Sequence, residues 1–279
     1  MLLCGPLLLA PAWAQQFDEP PLSEAARIYG LSRIWQEVNY NFAYFEHCPG
    51  LDFDSLYQAY LPRVAAAANT YDYYRLLRQF TAQLNDGHTD VVSPPGVQAR
   101  LAFPPLRLAP HDQRAYVKNV AVHLAEQIPI GSELTHIEGR SLADYLKAEV
   151  LPYLSAPSDG VRWMMGVHRA LLGLADRHVH ITGRRPDGKT FTLNLSRSHD
   201  EPVWVKPVVP DEPCAFRWLT PDIAYVALNT FARTDVIEQF KKHLPELYKA
   251  KGVIVDVRRN DGGNSGYAAE VIKYFTDAP

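Results

Sequence analysis

The feature that most restricts the fold of this chain is a β-α-β-α run close to its C-terminal end. Residues 223–228 read as a strand, residues 235–249 as an amphipathic helix, and Gly252-Val253-Ile254-Val255-Asp256-Val257 as an apolar strand. Residues 260–266 form a Gly-rich turn, and residues 267–275 a second helix. Strands that alternate with helices imply a largely parallel sheet covered by helices. A parallel sheet of two or three strands is not a finished core. The expectation is therefore a catalytic or binding core of which this chain holds the opening part.

Upstream the pattern is different. Ser23 is placed to cap a helix in which Ile28, Leu31, Ile34, Trp35 and Val38 recur at helix spacing. A second helix over residues 54–68 carries Leu56, Tyr60, Leu61 and Val64, and Pro62 is expected to kink or break it. A third helix over residues 70–84 carries Tyr73, Leu76, Leu77, Phe80 and Leu84. Tyr40, Phe42, Tyr44 and Phe45, between the first two, read as core. Pro94-Pro95-Gly96 and Pro104-Pro105 mark a boundary. Residues 106–198 then read as a small β module with a helix from Ser141 to Val150. The module includes a hairpin of residues 178–183 and 190–195 joined through Pro186-Asp187-Gly188.

Composition narrows the function classes. The chain has 279 residues, 28 Lys and Arg against 31 Asp and Glu, and 47% hydrophobic residues. That is a globular composition with no basic block, so nucleic acid is not an expected partner. No apolar run reaches the ~20 residues needed to span a bilayer. Leu7-Leu8-Leu9-Ala10 followed by Ala12-Trp13-Ala14 fits a secretory signal peptide over residues 1–14. An exported protein, periplasmic or extracellular, follows from that. Cys4 leaves with the signal; Cys48 and Cys214 remain and are read as two unpaired, buried thiols rather than a disulfide.

Two short motifs carry chemistry. In Leu84-Asn85-Asp86-Gly87-His88-Thr89 a histidine follows a glycine turn at the end of a helix. Neutral imidazole is the commonest general base near neutral pH, although a lone Asp-Gly-His also suits a surface or capping histidine. In Gly252 to Asn264 an apolar strand delivers Asn260-Asp261-Gly262-Gly263-Asn264 onto a helix N-terminus. Free backbone N–H groups there can hold a developing oxyanion. The loop lacks G-x-G-x-x-G and no G-K-[ST] follows, so a nucleotide loop is disfavoured.

These motifs, with Ile34-Trp35-Gln36-Glu37-Val38-Asn39-Tyr40-Asn41-Phe42 and Ile223-Ala224-Tyr225-Val226, resemble the tail-specific, or C-terminal processing, serine peptidases in their tricorn-like branch. The resemblance runs from about Ser23 to the C-terminus. It implies a multidomain α/β fold: an N-terminal helical domain over 15–97, a PDZ-like module over 98–200 and the start of a crotonase-like catalytic core over 201–279. It implies that His88 is the general base and that Gly262 and Gly263 form the oxyanion hole. The substrate would be a polypeptide, cleaved through a serine acyl-enzyme with no metal or organic cofactor. The family's nucleophilic serine and its glutamate partner lie in later motifs that this chain does not contain, so the chain alone is expected to be inactive. Gly87 stands where tricorn proteins have serine, and a helical insertion over residues 159–174 makes the PDZ-like module atypical.

Other candidates rank lower. Ser265 follows the Gly-rich turn, but Gly266 comes immediately after it, so G-x-S-x-G is not met and a cap or first-turn role is expected. Asp256 and Arg258 read as a charge pair that orients the loop. His178 and His180 form H-x-H on one strand face, which can place two imidazoles on a metal, yet no third ligand is near in sequence. His111-Asp112 is weaker still. The alternative to an enzyme is a non-catalytic protein on the same scaffold that binds peptides or hydrophobic ligands.

Overall fold

The computed structural model describes residues 22–175, 177–206 and 212–276. The expected leader lies outside them. Contacts divide the chain into two compact units, Met1–Lys206 and Pro207–Pro279.

The first unit opens with three helices. Helix α1 (Glu24–Asn41) starts where Ser23 accepts a hydrogen bond from the Ala26 N–H, the expected cap. Helix α2 (Phe53–Ala65) is capped by Asp52, and α3 (Thr70–Thr81) by Asn69. They enclose Leu31, Val64 and Phe80, all fully buried, with Phe53, Tyr60, Tyr73 and Leu77. The expected break at Pro62 does not occur: α2 continues to Ala65. A proline in a helix costs ~3 kcal/mol, but it sits in the last turn here, where one bond to the Gln58 carbonyl is lost. Full burial of Val64 and near-full burial of Tyr60, at roughly 1.5–3 kcal/mol each, offsets that cost. The aromatic cluster also differs from expectation. Phe42 and Phe45 pack on this core, whereas Tyr40 and Tyr44 are exposed, because Tyr40 falls on the outer face of α1 and Tyr44 precedes a 3-10 turn.

After the short helix α4 (Pro95–Gln98) and strand β1 (Leu101–Ala102) comes an antiparallel sheet. Its strands are β2 (Leu106–His111), β3 (Arg114–Val120), β4 (Glu133–Ile137), β7 (His178–Arg184) and β8 (Thr190–Ser196), in the order β2-β3-β4-β7-β8, with β5 (Arg140–Ser141) beside β4. Strand β6 (Gly173–Leu174) pairs with β1. Helix α5 (Leu142–Glu149) is capped by Ser141 Oγ, which accepts from the Asp144 N–H at 3.2 Å. Helix α6 (Asp159–Arg169) is the insertion seen in the sequence. Alternation along β7 sends Val179 and Ile181 into a core with Leu106, Val117, Leu134, Leu146 and Val167, and sends His178 and His180 outward. The unit ends where the Val205 N–H donates to the Val120 carbonyl and the Lys206 N–H to Asn119 Oδ1.

The second unit is a three-stranded sheet in the order β11-β10-β9, from β9 (Cys214–Thr220), β10 (Ile223–Leu228) and β11 (Gly252–Asp256). Helices α7 (Asp235–Leu247) and α8 (Ser265–Ile272) pack on one face, where Val226, Val236 and Phe240 are buried together with Val271. The sheet is parallel only between β10 and β11; β9 pairs antiparallel to β10. The cause is local: Pro221-Asp222 joins β9 to β10 in a two-residue turn, which only antiparallel strands can use. Strand β11 is apolar on both faces, and Ile254 and Val255 are exposed, as is Val257 just beyond it. Among the described residues no helix is long and apolar enough to cross a membrane.

Candidate active site

His88 sits on a turn that other segments hold in place. Helix α3 tightens into a 3-10 turn at Ala82–Leu84, and Asn85 caps it in the left-handed region, φ 52°. That conformation suits asparagine better than most side chains. Asn85 Oδ1 accepts a hydrogen bond from Arg162 Nη2 at 2.5 Å. The Asp86 N–H donates to Ser155 Oγ at 3.2 Å, and Asp86 Oδ2 accepts from Thr89 Oγ1 at 2.6 Å. One residue before the cap, the Leu84 carbonyl accepts from the buried Cys48 thiol at 3.0 Å. Burial, then the Asp86 charge, raises the Cys48 pKa, so Cys48 stays a neutral donor.

The imidazole itself is free. The His88 side chain is fully exposed, with Nδ1 4.0 Å from Asp86 Oδ1. The anchoring residues Arg162 and Ser155 are not legible from the Asp-Gly-His motif. Arg162 comes from α6, in the insertion that looked atypical, and Ser155 from the segment just before it. Arg162 also donates to the carbonyls of Leu154 and Ala156, so the insertion and the His88 turn share one guanidinium.

The glycine loop of the second unit is built differently. At its entry Asp256 accepts from Tyr225 Oη at 2.6 Å, from the Arg258 N–H at 2.9 Å and from Arg258 Nη2 at 2.7 Å. These donors, Arg258 first, hold the Asp256 carboxyl well below the usual carboxylate range. The charge pair expected from the sequence is thus present at the strand end. Asn260 Nδ2 donates to the Leu228 carbonyl, and its Oδ1 accepts from the Gly262 N–H at 2.8 Å. The Phe231 N–H donates to the Gly262 carbonyl and the Asn264 N–H to the Phe231 carbonyl, at 2.9 and 2.8 Å. This is a parallel bridge between Phe231 and Gly263. The residues flanking Gly263 supply its bonds, so the N–H of Gly263 points away from Phe231.

Both glycines lie in the left-handed half of φ space, Gly262 at 96° and Gly263 at 133°. A Cβ on Gly263 would overlap the backbone of Phe231 and Ala232, so no other residue fits there. A Cβ on Gly262 would meet open space, and only its φ favours glycine. Asn264 caps α8 by accepting from the Gly266 N–H at 2.8 Å, and Ser265 is the first residue of that helix. Tyr225, Asp256 and Arg258 line a cavity of about 700 Å³ on the sheet face opposite α7, with Arg217 stacked over the Tyr225 ring.

The remaining candidates have structural partners. His178 Nε2 is 2.9 Å from Ser196 Oγ across the β7-β8 pair, and the backbone N–H of the outward-facing His180 donates to Glu138 Oε1. His111 lies 3.4 Å from Asp112 at an exposed turn. Among the described residues no three metal-ligating side chains converge. Cys48 and Cys214 are buried free thiols.

Comparison with known proteins agrees with this architecture. Residues 222–279 match the model of peptidase family S41, and residues 24–82 match that of the tricorn protease C1 domain. No curated protein sequence matches the chain. Among solved structures, mature CPAF superposes with a TM-score of 0.68 at 14% identity, covering 86% of this chain and 56% of that one. Mature CPAF complexed with lactacystin gives 0.66 at 14% identity, covering 88% and 58%. This chain therefore spans under two thirds of the length of either, and the likeness is one of fold. By the motifs it carries and the two family matches, the chain is similar to the S41, or tail-specific, serine peptidases over residues 222–279 and to the tricorn C1 domain over residues 24–82.

Proposed function

We propose that this chain supplies the general base and the oxyanion hole of a serine peptidase that hydrolyses polypeptides. The observation that carries the reading is the Gly262-Gly263 loop: it lies inside the S41 match and turns a backbone N–H of Gly263 away from its own ladder. In this reading His88 removes the proton from a serine Oγ as that oxygen attacks the scissile carbonyl carbon. The carbonyl oxygen gains the negative charge, and the N–H groups of Gly262 and Gly263 stabilise it. The C–N bond then breaks as the imidazolium returns the proton to the leaving amine. Water, deprotonated by His88, hydrolyses the acyl-serine ester. Removing one such donor elsewhere has cost about 10²–10³ in kcat, which sets the scale expected for this loop.

The hole is half prepared. Gly263 offers its N–H directly, whereas that of Gly262 is engaged by Asn260 Oδ1 and becomes a donor to substrate only when Asn260 releases it. In the same reading the antiparallel sheet of the first unit is the PDZ-like module, the second unit opens a crotonase-like core, and the protein works after export. The nucleophile would come from sequence beyond Pro279, and exposed Ile254, Val255 and Val257 would be covered by strands or helices added there.

A fluorophosphonate probe tests the reading. The 279-residue chain should remain unlabelled. A protein extended by the sequence encoded after Pro279 should label at a serine in that extension, and His88→Ala should abolish the labelling. Labelling of the 279-residue chain at Ser265 would make the glycine turn a nucleophile site and overturn this assignment. An extended protein that binds peptides but never labels would instead be the non-catalytic binder.

A further inference from the structure

A cavity of about 230 Å³ within the first unit is lined by four arginines: Arg75 and Arg78 from α3, Arg169 at the end of α6 and Arg197 just after β8. Two of them have nearby counter-charges. Arg75 Nη2 is 3.8 Å from Glu149 Oε2, and its guanidinium lies 4.1 Å over the Tyr153 ring. Arg78 Nη2 is 3.6 Å from Asp90 Oδ2, and its Nε donates to the Val91 carbonyl.

The other two have no carboxylate within ion-pair distance among the described residues. Arg197 is 8% exposed, its Nε donates to the Leu171 carbonyl at 2.8 Å and its Nη1 to that of His178 at 3.0 Å. Its Nη2 makes no hydrogen bond among these residues. Gly173 leaves the space for this guanidinium: a Cβ there would stand 2.7 Å from Arg197 Cζ. The Arg169 side chain makes no hydrogen bond or ion pair among the described residues, although its carbonyl accepts from the Leu172 N–H. Burial, then the neighbouring Arg78 charge, lowers its pKa against the pull of Asp90, and burial lowers that of Arg197.

Uncompensated guanidinium groups in a partly dry cavity are costly, and their fork of donors matches planar or tetrahedral oxyanions. We propose that this cavity binds a small dianion, either the phosphoryl group of a small molecule or a dicarboxylate. A dianion fits because two of the arginines have no carboxylate within ion-pair distance among the described residues. A small ligand fits because the space falls below the ~300–1,000 Å³ of pockets for drug-sized molecules. This reading stands apart from the peptidase assignment and uses none of its residues.

Calorimetry and thermal melts of the 279-residue chain test it, with inorganic phosphate and malonate titrated at ionic strength matched by chloride. Saturable heat and a rise in Tm are expected with at least one of them, and the tighter binder identifies the class. Arg169→Gln should weaken binding at least about tenfold. It should not lower the Tm of the ligand-free protein, because the Arg169 side chain has no hydrogen bond or ion pair to lose among the described residues. Independently, the bound anion should slow phenylglyoxal modification of Arg169 in the unaltered chain. No saturable binding of either anion, equal binding by Arg169→Gln, or unprotected Arg169 would each overturn the proposal. So would binding of an acidic peptide with neither small anion bound.

Discussion

The turn that bears His88 and the turn that bears Gly262 and Gly263 are both short loops entering or leaving regular elements, yet they are fixed by opposite means. The histidine turn is held from far along the chain, by Arg162, Ser155 and Cys48, and its imidazole is exposed to solvent. The glycine turn is held partly from within itself and partly by β10 and the segment that follows it. Asp256 grips Arg258, Asn260 grips Gly262, and the backbone of Phe231 brackets Gly263. A loop of the second kind has part of its geometry written in consecutive residues and takes the rest from the neighbouring strand. A loop of the first kind depends on whether the rest of the unit has folded.

The sharpest way to break this comparison is Gly263→Ala. Its Cβ collides with backbone, which cannot swing aside as a side chain can, so a loss of about 3 kcal/mol or more is expected in urea denaturation. An unchanged midpoint would show that the bridge to Phe231 is not what fixes the loop.

Arg162→Ala comes next. It removes one charged donor from Asn85 Oδ1 and from the Leu154 and Ala156 carbonyls, and should cost about 2 kcal/mol. Amide exchange should quicken at Asn85 to Thr89 while the loop at Gly262 stays protected. Equal protection in both loops would remove the distinction between remote and local anchoring.

Gly262→Ala should cost about 1–2 kcal/mol, since only the left-handed φ opposes it. The ordering of the two glycine variants, measured in one denaturant series, separates collision from dihedral strain. A larger loss at Gly262 would reverse that assignment.

The smallest effect concerns pH. The Asp256 pKa is depressed in the folded chain, chiefly by Arg258, so its contribution is fully present above the ordinary aspartate pKa of about 4. That contribution is lost as pH falls below this value toward the depressed one. Asp256→Asn should flatten the acid limb of the stability curve and leave the pH dependence between pH 6 and 8 as it is in the unaltered chain. An acid limb of unaltered slope would assign the pH response to other carboxylates.

Several of the fold's features were legible because short-range chemistry dictates them. Ser23 and Ser141 cap helices because a hydroxyl three residues before an open N–H reaches it whatever lies around. The strands at 223–228 and 252–257, and the hairpin through Asp187-Gly188, followed from runs and alternation of apolar residues. Strand β9 is not legible in the sequence, because Ala215-Phe216-Arg217-Trp218-Leu219 lacks clean alternation and has several exposed members. Its antiparallel pairing then overrode the expected parallel order. Pro62 was read by its local rule, and the burial of Val64 outweighed that rule.

By itself, then, the sequence determined that an apolar strand leads into a glycine loop at Gly262 and Gly263, the Asp256–Arg258 clasp and the candidacy of His88, because each rests on neighbouring residues or on one imidazole's chemistry; the bridge that fixes Gly263 against Phe231 is tertiary. Only the tertiary structure decided that an inserted helix secures the His88 turn through Arg162. It also decided that Tyr40 and Tyr44 face solvent, and that arginines from residues 75 to 197 converge on one cavity. Such outcomes depend on which distant surfaces meet. Packing and desolvation act on neighbours in space, and hydrophobic periodicity along a chain does not specify them.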